Sequence, residues 1–153
     1  MSDLYDSDVV ARSERQAALL RRVAAGEAVN DQVDWRNIID EVETVGRSER
    51  PALGSHIAMV LEHLIKLRAS PAQDPRNGWN TSVRRARISI AKVLKDSPSL
   101  RSAVPEMIVE ETPSARMIVA SILEENGEQP VVAIDSMTFT LEQVLGDWFP
   151  DPA

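Results

Sequence analysis

The chain has 153 residues, the length of one ordinary domain, and its 43% apolar and 27% charged residues are typical of a globular protein. It contains no cysteine, which excludes disulfide bonds and thiolate chemistry. The acidic start of the sequence lacks a basic-then-apolar signal pattern, and no apolar run approaches the roughly 18 residues of a membrane-spanning helix. We therefore expect a cytoplasmic protein that does not enter a membrane.

Charge is unevenly distributed along the chain, whose net charge is −7. Residues 1–62 carry 7 basic and 12 acidic groups, residues 63–101 carry 9 basic and 2 acidic groups, and residues 102–153 carry 1 basic and 10 acidic groups. The segment charges are therefore −5, +7 and −9. This pattern predicts two oppositely charged surfaces on one molecule.

The first half of the chain is patterned as amphipathic helices. Residues 7–25 form the first predicted helix, capped by Asp6 or Ser7 and ended by Gly26. Its apolar stripe consists of Val9, Val10, Ala17, Leu20 and Ala24.

Asp34 caps the second predicted helix, which ends at Gly46. Ser48 restarts a third helix, where Pro51 is tolerated in the first turn, and this helix continues to about residue 69. The second helix has an inward stripe of Ile38, Ile39, Val42 and Val45, and the third has one of Leu53, Ile57, Val60, Leu61 and Leu64. The pattern leaves open whether these are two helices or one kinked rod.

The second half has clear start and stop signals. A loop over residues 70–78 leads to a fourth predicted helix over residues 80–95. Ser-Pro at residues 97–98 and Thr-Pro at residues 112–113 each predict a new helix, the second of which ends at residues 126–127. Residues 131–134 are β-prone and fit either an extended piece or a packed loop. Residues 140–143 form a capping box that opens a last short helix.

These patterns predict an all-α fold over residues 1–153, a single compact bundle of five to seven helices with a short irregular C-terminal segment. We expect the first four long helices to pack antiparallel around an aliphatic core.

Two histidines, His56 and His63, lie seven residues apart on the third predicted helix. Two turns separate them by about 10.5 Å, too far for one metal ion, which needs helical ligands at i and i+3 or i+4. We therefore predict neither a metal site nor a cofactor, and interpret these histidines as structural or interface residues.

Arg87 falls on the apolar face of the fourth predicted helix, where an unpaired buried charge is unfavourable. Our hypothesis is that Arg87 pairs with Glu41 or Glu43, which flank the stripe of the second helix, near His63. Such a cluster serves either acid–base or ligand-binding chemistry or a network that fixes helix register.

Basic residues also line the opposite side of the fourth helix, at Arg84, Arg85, Lys92 and Lys95. Phosphate binding is one interpretation of this patch. It has no interleaved aromatic residues and the protein is acidic overall, so we do not expect nucleic-acid binding. A solvated face, or a patch that docks the acidic half of a neighbouring molecule, is the preferred interpretation.

With these residues in view, the chain resembles the bacterial all-helical family catalogued as domain of unknown function 29. The matching pieces follow one another in order over almost the whole chain: residues 5–8, 16–21, 34–35, 40–43, 46–49 and 63–66, Trp79, Arg87, and residues 97–100 and 140–143. The resemblance implies a helical domain and supplies no activity. It implies the following candidate polar positions: Glu41, Glu43, Gly46, Arg47, Glu49, His63, Lys66 and Arg87.

The sequence therefore predicts a non-enzymatic helical interaction module that binds another protein or a second copy of itself. The alternative is an enzyme or a metal- or ligand-binding protein that uses the Glu/His/Arg cluster between the second, third and fourth predicted helices.

Overall fold

The computed structural model describes residues 8–151, which form five α-helices and two short 3₁₀-helices and contain no β-strand. The α-helices are α1 (Val9–Ala24), α2 (Trp35–Ala69), α3 (Arg76–Asp96), α4 (Val104–Glu125) and α5 (Leu141–Leu145). The 3₁₀-helices span Asn30–Gln32 and Pro98–Ala103. The predicted all-α fold is confirmed. No helix of residues 8–151 is long and apolar enough to cross a membrane.

Contacts divide the chain into two units, Met1–Arg47 and Ser48–Ala153. The first unit holds α1 and the first turns of α2, and the second holds the rest of α2 with α3, α4 and α5. Whether the two units fold as one domain stays a prediction.

The second unit has an aliphatic core drawn from all of its helices. The second half of α2 contributes Leu53, Ile57, Val60, Leu61, Leu64, Ile65 and Leu67, and α3 contributes Val83, Ala86, Ile90 and Leu94. The inward stripe predicted for the third helix is therefore confirmed. Because burying one such Leu, Ile or Val side chain contributes about 1.5–3 kcal/mol, this core is the main source of the unit's stability.

Helix α2 passes through Gly46 and Pro51 without ending, so residues 35–69 form one helix, which is one of the two alternatives that the sequence left open. A glycine in a helix interior is unfavourable by only about 1 kcal/mol relative to alanine. Proline removes one helical hydrogen bond, since it has no N–H. Neither residue outweighs the packing of the long apolar stripe that follows.

Helix α4 likewise passes through Pro113, so the prediction of a new helix at residues 112–113 is wrong. The hydroxyl of Thr112 donates to the carbonyl of Ile108 within the same helix instead of capping a new one. Pro113 deprives the carbonyl of Val109 of its helical donor. Val109 is 72% exposed, so water can bind that carbonyl.

Other helix ends follow the local chemistry. Asp8 caps α1 by accepting the N–H of Ala11 at 3.0 Å, whereas the predicted caps Asp6 and Ser7 lie outside the described residues. Gly26 and Gly127 have φ of 86° and 68°, the left-handed conformation that favours glycine after a helix, which confirms both predicted stops. Helix α3 begins four residues earlier than the sequence predicts.

The C-terminal segment, residues 126–151, packs as a loop with one short helix. The N–H of Val131 donates to the carbonyl of Ala69 at 2.8 Å, and Ile134, Met137 and Phe139 are buried. Residues 131–134 thus form a loop rather than an extended strand, and Ile134 is the residue of this loop that is buried. Thr140 and Gln143 form the predicted capping box of α5.

Candidate functional site

Within the first unit, α1 and the start of α2 form a helical hairpin. Arg12 pairs with Glu41 at 3.1 Å, and the side-chain oxygen of Gln16 accepts the N–H of Asp34 at 2.9 Å. Later residues of α1 therefore contact earlier residues of α2, so the two helices run in opposite directions. The ion pair is partly exposed and contributes less than about 1 kcal/mol.

The buried core of this hairpin is small. Leu19, Val29 and Val33 are its buried apolar residues within residues 8–47, and Leu20, Val23 and Ile38 pack partly against them. Most of the predicted inward stripe of the second helix is therefore not covered. The expectation that this stripe faces a core is wrong for Ile39, Val42 and Val45.

Six large apolar side chains of the hairpin are instead exposed, and we call them the apolar face: Val9, Val10, Trp35, Ile39, Val42 and Val45. Val10 is 65% exposed and Val42 is 68% exposed. An exposed apolar patch on one element is typical of an interaction surface.

Helix geometry places part of this face away from the contact between the two helices. At about 100° per residue, Val10 on α1 and Ile39 and Val42 on α2 each lie roughly a quarter-turn or more from the side that contacts the other helix. These side chains therefore point into solvent, in agreement with their exposure.

The predicted acidic candidates have separate partners. Glu43 pairs with Arg47 one turn later in α2, at 3.3 Å, and both side chains are more than half exposed. Glu49 accepts the hydroxyl of Ser97 at 3.4 Å in the second unit. With Glu41 bound to Arg12, these groups form surface pairs rather than one cluster.

His63 is half-buried on α2, where its Nδ1–H donates to the carbonyl of Met59 at 2.8 Å. That tautomer leaves Nε2 as the acceptor. Burial lowers the pKa of His63, and the charge of Lys66 one turn later lowers it further. His63 is therefore mainly neutral at pH 7.

The predicted partner of Arg87, Glu41 or Glu43, is wrong. Its Nε donates to the carbonyl of Val144 at 2.9 Å, and its Nη2 donates to those of Gln143 and Trp148 at 2.8 and 2.7 Å. An arginine on an apolar face does need partners, as the sequence indicates, but main-chain carbonyls supply them. Burial lowers the pKa of Arg87, and the negative charge of Asp147 offsets part of this shift by raising the pKa.

Two further arginines, which the sequence pattern did not identify, hold the same C-terminal segment. The Nε of Arg116 donates to the carbonyl of Met137 at 2.7 Å. The guanidinium of Arg68 lies 5.7 and 5.8 Å from the ring centres of Phe139 and Trp148. We call Arg68, Arg87 and Arg116 the arginine clasp. No local sequence signal identifies such partners, because they lie 21 to 80 residues away along the chain.

The predicted basic patch on α3 is divided. Arg84 stacks over Phe149 at 5.0 Å, and Arg85 lines a shallow groove of about 340 Å³ beside His56 and Met59. Lys92 and Lys95 are exposed. The four residues therefore do not share one environment.

A groove of the second unit, about 590 Å³ in volume, opens beside the clasp. Arg84, Arg87, Asp147 and Phe149 are among its lining residues. Arg87 already donates to three carbonyls there, so the guanidinium in the wall of this groove holds the C-terminal segment in place. Residues 8–151 contain no group of three or more His, Cys, Asp or Glu that could hold a metal ion.

The family model described as Domain of unknown function DUF29 matches residues 4–149, so the chain belongs to this family. The resemblance seen in the sequence is confirmed. That description names no activity. No curated protein and no solved structure matches the chain.

Proposed function

We propose that this chain is a helical protein-interaction module whose contact surface is the apolar face of the hairpin. The observation that carries the proposal is the imbalance within residues 8–47, where six large apolar side chains are exposed and three are buried. A hairpin that leaves half of its large apolar side chains exposed gains more from a partner than from its own small core.

The energetics support association. Covering the exposed part of each of these six side chains contributes about 1 kcal/mol apiece, roughly 6 kcal/mol in all. The apolar groups of a partner add a similar amount. Together these gains are comparable with the roughly 4–15 kcal/mol that association costs, which is the regime of reversible complexes.

The alternative, an enzyme or a metal- or ligand-binding protein built on the Glu/His/Arg cluster, draws less support. Glu41, Glu43 and Arg87 each bind a different group, in geometries suited to holding structure. A catalytic site needs such groups to converge on one reacting atom.

We also propose that the module works in the cytoplasm. Its lack of cysteine and its many charged residues support this placement.

Cross-linking in the source cells tests the interaction. Val42→Glu places a charge in the apolar face, and Val109→Glu is the matched control, since Val109 on α4 is exposed to a similar extent. We expect a discrete cross-linked protein complex with the wild type and with Val109→Glu, reduced roughly tenfold or more by Val42→Glu because a charge desolvated at an interface is unfavourable by more than about 1.4 kcal/mol. Equal cross-linking by all three proteins would contradict the proposal.

A further inference from the structure

A groove of about 340 Å³ lies between α2 and α3 in the second unit. Its lining includes His56 and Met59 from α2 and Ser82, Arg85, Ala86 and Ser89 from α3. This volume falls at the lower end of the range of small-molecule sites, which is about 300–1,000 Å³. The groove therefore has room for a small molecule rather than for a folded partner.

The polar groups that α3 contributes to this groove have no partner from the protein. Hydroxyls inside helices often donate to the carbonyl four residues earlier, as those of Ser55 and Thr81 do here. Within residues 8–151, the hydroxyls of Ser82 and Ser89 make no such bond, and the guanidinium of Arg85 has no hydrogen-bond or ion-pair partner. These three groups can therefore bind a ligand without breaking any contact within the described chain.

Helix spacing brings the three groups together. Ser82 lies three residues before Arg85 and Ser89 lies four residues after it, so all three share one side of α3. His56 lines the groove from α2, and its ring makes no hydrogen bond within the part of the chain that the structure describes. One imidazole, one guanidinium and two hydroxyls thus line the same space.

The charged groups of the groove favour an anion. Among the described residues that line it there is a guanidinium and an imidazole but no carboxylate, whereas two other grooves of the second unit, beside Asp147 and beside Glu110, contain both signs of charge. Residues 76–95 of α3 hold six basic residues and no acidic residue. Their combined field attracts anions toward this helix.

The number of donors matches a phosphoryl group. A phosphate monoester presents three terminal oxygens that accept hydrogen bonds, and four side chains in the groove carry donors. A carboxylate has two oxygens, which one bidentate guanidinium already occupies. The lining also includes apolar atoms of Ala86 and of Met59, which is 42% exposed and adapts readily to an apolar ligand surface.

We propose that this groove is a binding site for a small phosphate monoester with an apolar organic body. Arg85 donates to the phosphoryl oxygens through its planar guanidinium, the hydroxyls of Ser82 and Ser89 donate beside it, and His56 donates from α2. Met59 and Ala86 contact the organic body. The inference goes beyond the proposed interaction of the hairpin, because every residue of this site lies in the second unit.

Titration of the purified full-length chain with phenyl phosphate tests the proposal. Backbone amide chemical shifts report binding, at an ionic strength of about 0.15 M so that attraction between distant charges is screened. We expect saturable binding with a Kd of about 1 mM or lower and shift changes concentrated in residues 55–59 and 82–89. A chain that shows no saturable shift up to roughly 10 mM phenyl phosphate would overturn the proposal.

Two cations on α3 form a matched pair of substitutions. Arg85→Gln removes the guanidinium from the groove, and Lys92→Gln is the control, since Lys92 is exposed on the same helix and does not line the groove. We expect Arg85→Gln to raise the Kd for phenyl phosphate about tenfold or more and Lys92→Gln to change it by less than about twofold. Equal weakening by both would show general attraction to a basic helix and would refute the site.

The hydroxyls have a control of their own. Ser82→Ala combined with Ser89→Ala should raise the Kd roughly threefold or more, because two donors to the phosphoryl oxygens are lost. Thr81→Ala should leave the Kd unchanged, since the hydroxyl of Thr81 already donates to the carbonyl of Asn77. An effect of Thr81→Ala as large as that of the double variant would count against binding by the groove hydroxyls.

Two further probes define the class of ligand. Benzoate replaces the phosphoryl group by a carboxylate, and inorganic phosphate lacks the apolar body. Each should bind at least about threefold more weakly than phenyl phosphate. Equal binding of benzoate would overturn the phosphoryl assignment, and equal binding of inorganic phosphate would overturn the contact with the organic body. None of these outcomes bears on the hairpin, whose test is the cross-linking of Val42→Glu.

Discussion

The two units of the chain use apolar helical stripes in opposite ways. In the second unit, the stripe of α2 from Leu53 to Leu67 is buried against α3 and α4, and no member of it is more than 2% exposed. In the first unit, the stripe of the same helix at Ile39, Val42 and Val45 is more than half exposed. One continuous helix therefore carries a stripe that forms a core and a stripe that forms a surface.

The comparison shows what a periodic apolar pattern means physically. Periodicity records that one side of a helix avoids water, and it does not record whether the cover comes from the same chain or from another. Within residues 8–47 the hairpin buries three apolar residues. This core is too small to cover the apolar stripe of α2 in the first unit. The surface that we propose for interaction is therefore the part of the apolar pattern that the fold leaves uncovered.

The largest expected effect is a difference in the free energy of unfolding between a substitution in the buried stripe and one in the exposed stripe. Leu61→Ala, at a fully buried site in the second unit, should lower the free energy of unfolding by about 2–5 kcal/mol because it leaves a cavity. Val42→Ala should change it by less than about 0.5 kcal/mol, since the side chain is already in water. Urea unfolding at protein concentrations low enough to keep the chain monomeric measures both. A large loss from Val42→Ala would show that the apolar face is covered within the chain.

The arginine clasp comes next. Arg87→Leu removes three hydrogen bonds to main-chain carbonyls, and we expect a loss of about 2–3 kcal/mol, discounted for the partial exposure of the guanidinium. Arg87→Lys should recover little of this, because an ammonium group lacks the planar fork that reaches three carbonyls. Lys92→Leu is the exposed control on the same helix. Urea unfolding and amide exchange in residues 140–148 measure the effect, and a loss equal to the control's would refute the clasp.

A pair of glycine substitutions should give the smallest effects, and the two effects should have opposite signs. Gly46 lies inside α2 with open space around it, so Gly46→Ala should stabilise the chain by about 0.5–1 kcal/mol. Gly127 has a φ of 68°, so Gly127→Ala should destabilise it by about 1 kcal/mol. Thermal unfolding of the two variants measures both shifts. Destabilisation by Gly46→Ala would instead support a helix break at that residue.

Most of the secondary structure was predictable from local chemistry. The glycines after α1 and α4 and the capping box at Thr140 act within a few residues, so the sequence shows them directly. The new helix at Thr112 was wrongly predicted, and the sequence left a break at Gly46 open, because each local signal is weaker than the tertiary packing of the helix in which it lies.

The candidate site was less predictable, since its contacts join distant parts of the chain. The position of Arg87 on the apolar side of α3 correctly indicated that its guanidinium needs hydrogen-bond partners. Nothing in the sequence indicated that these partners are carbonyls more than 50 residues away, because every residue has a carbonyl. The acidic candidates Glu41 and Glu43 were identified by position. Arg12, the partner of Glu41, follows only from the folded hairpin, whereas Arg47, the partner of Glu43, lies one turn later on the same helix.

The most direct test of the apolar face is hydrogen–deuterium exchange of the full-length chain, both purified at increasing protein concentration and in extracts of the source cells. The account predicts that amide exchange in residues 9–24 and 35–47 slows in at least one of these conditions, where a partner covers the face, while α4 exchanges at a constant rate around the similarly exposed Val109. Exchange in the hairpin that is independent of concentration, and unchanged in extracts of the source cells, would contradict it.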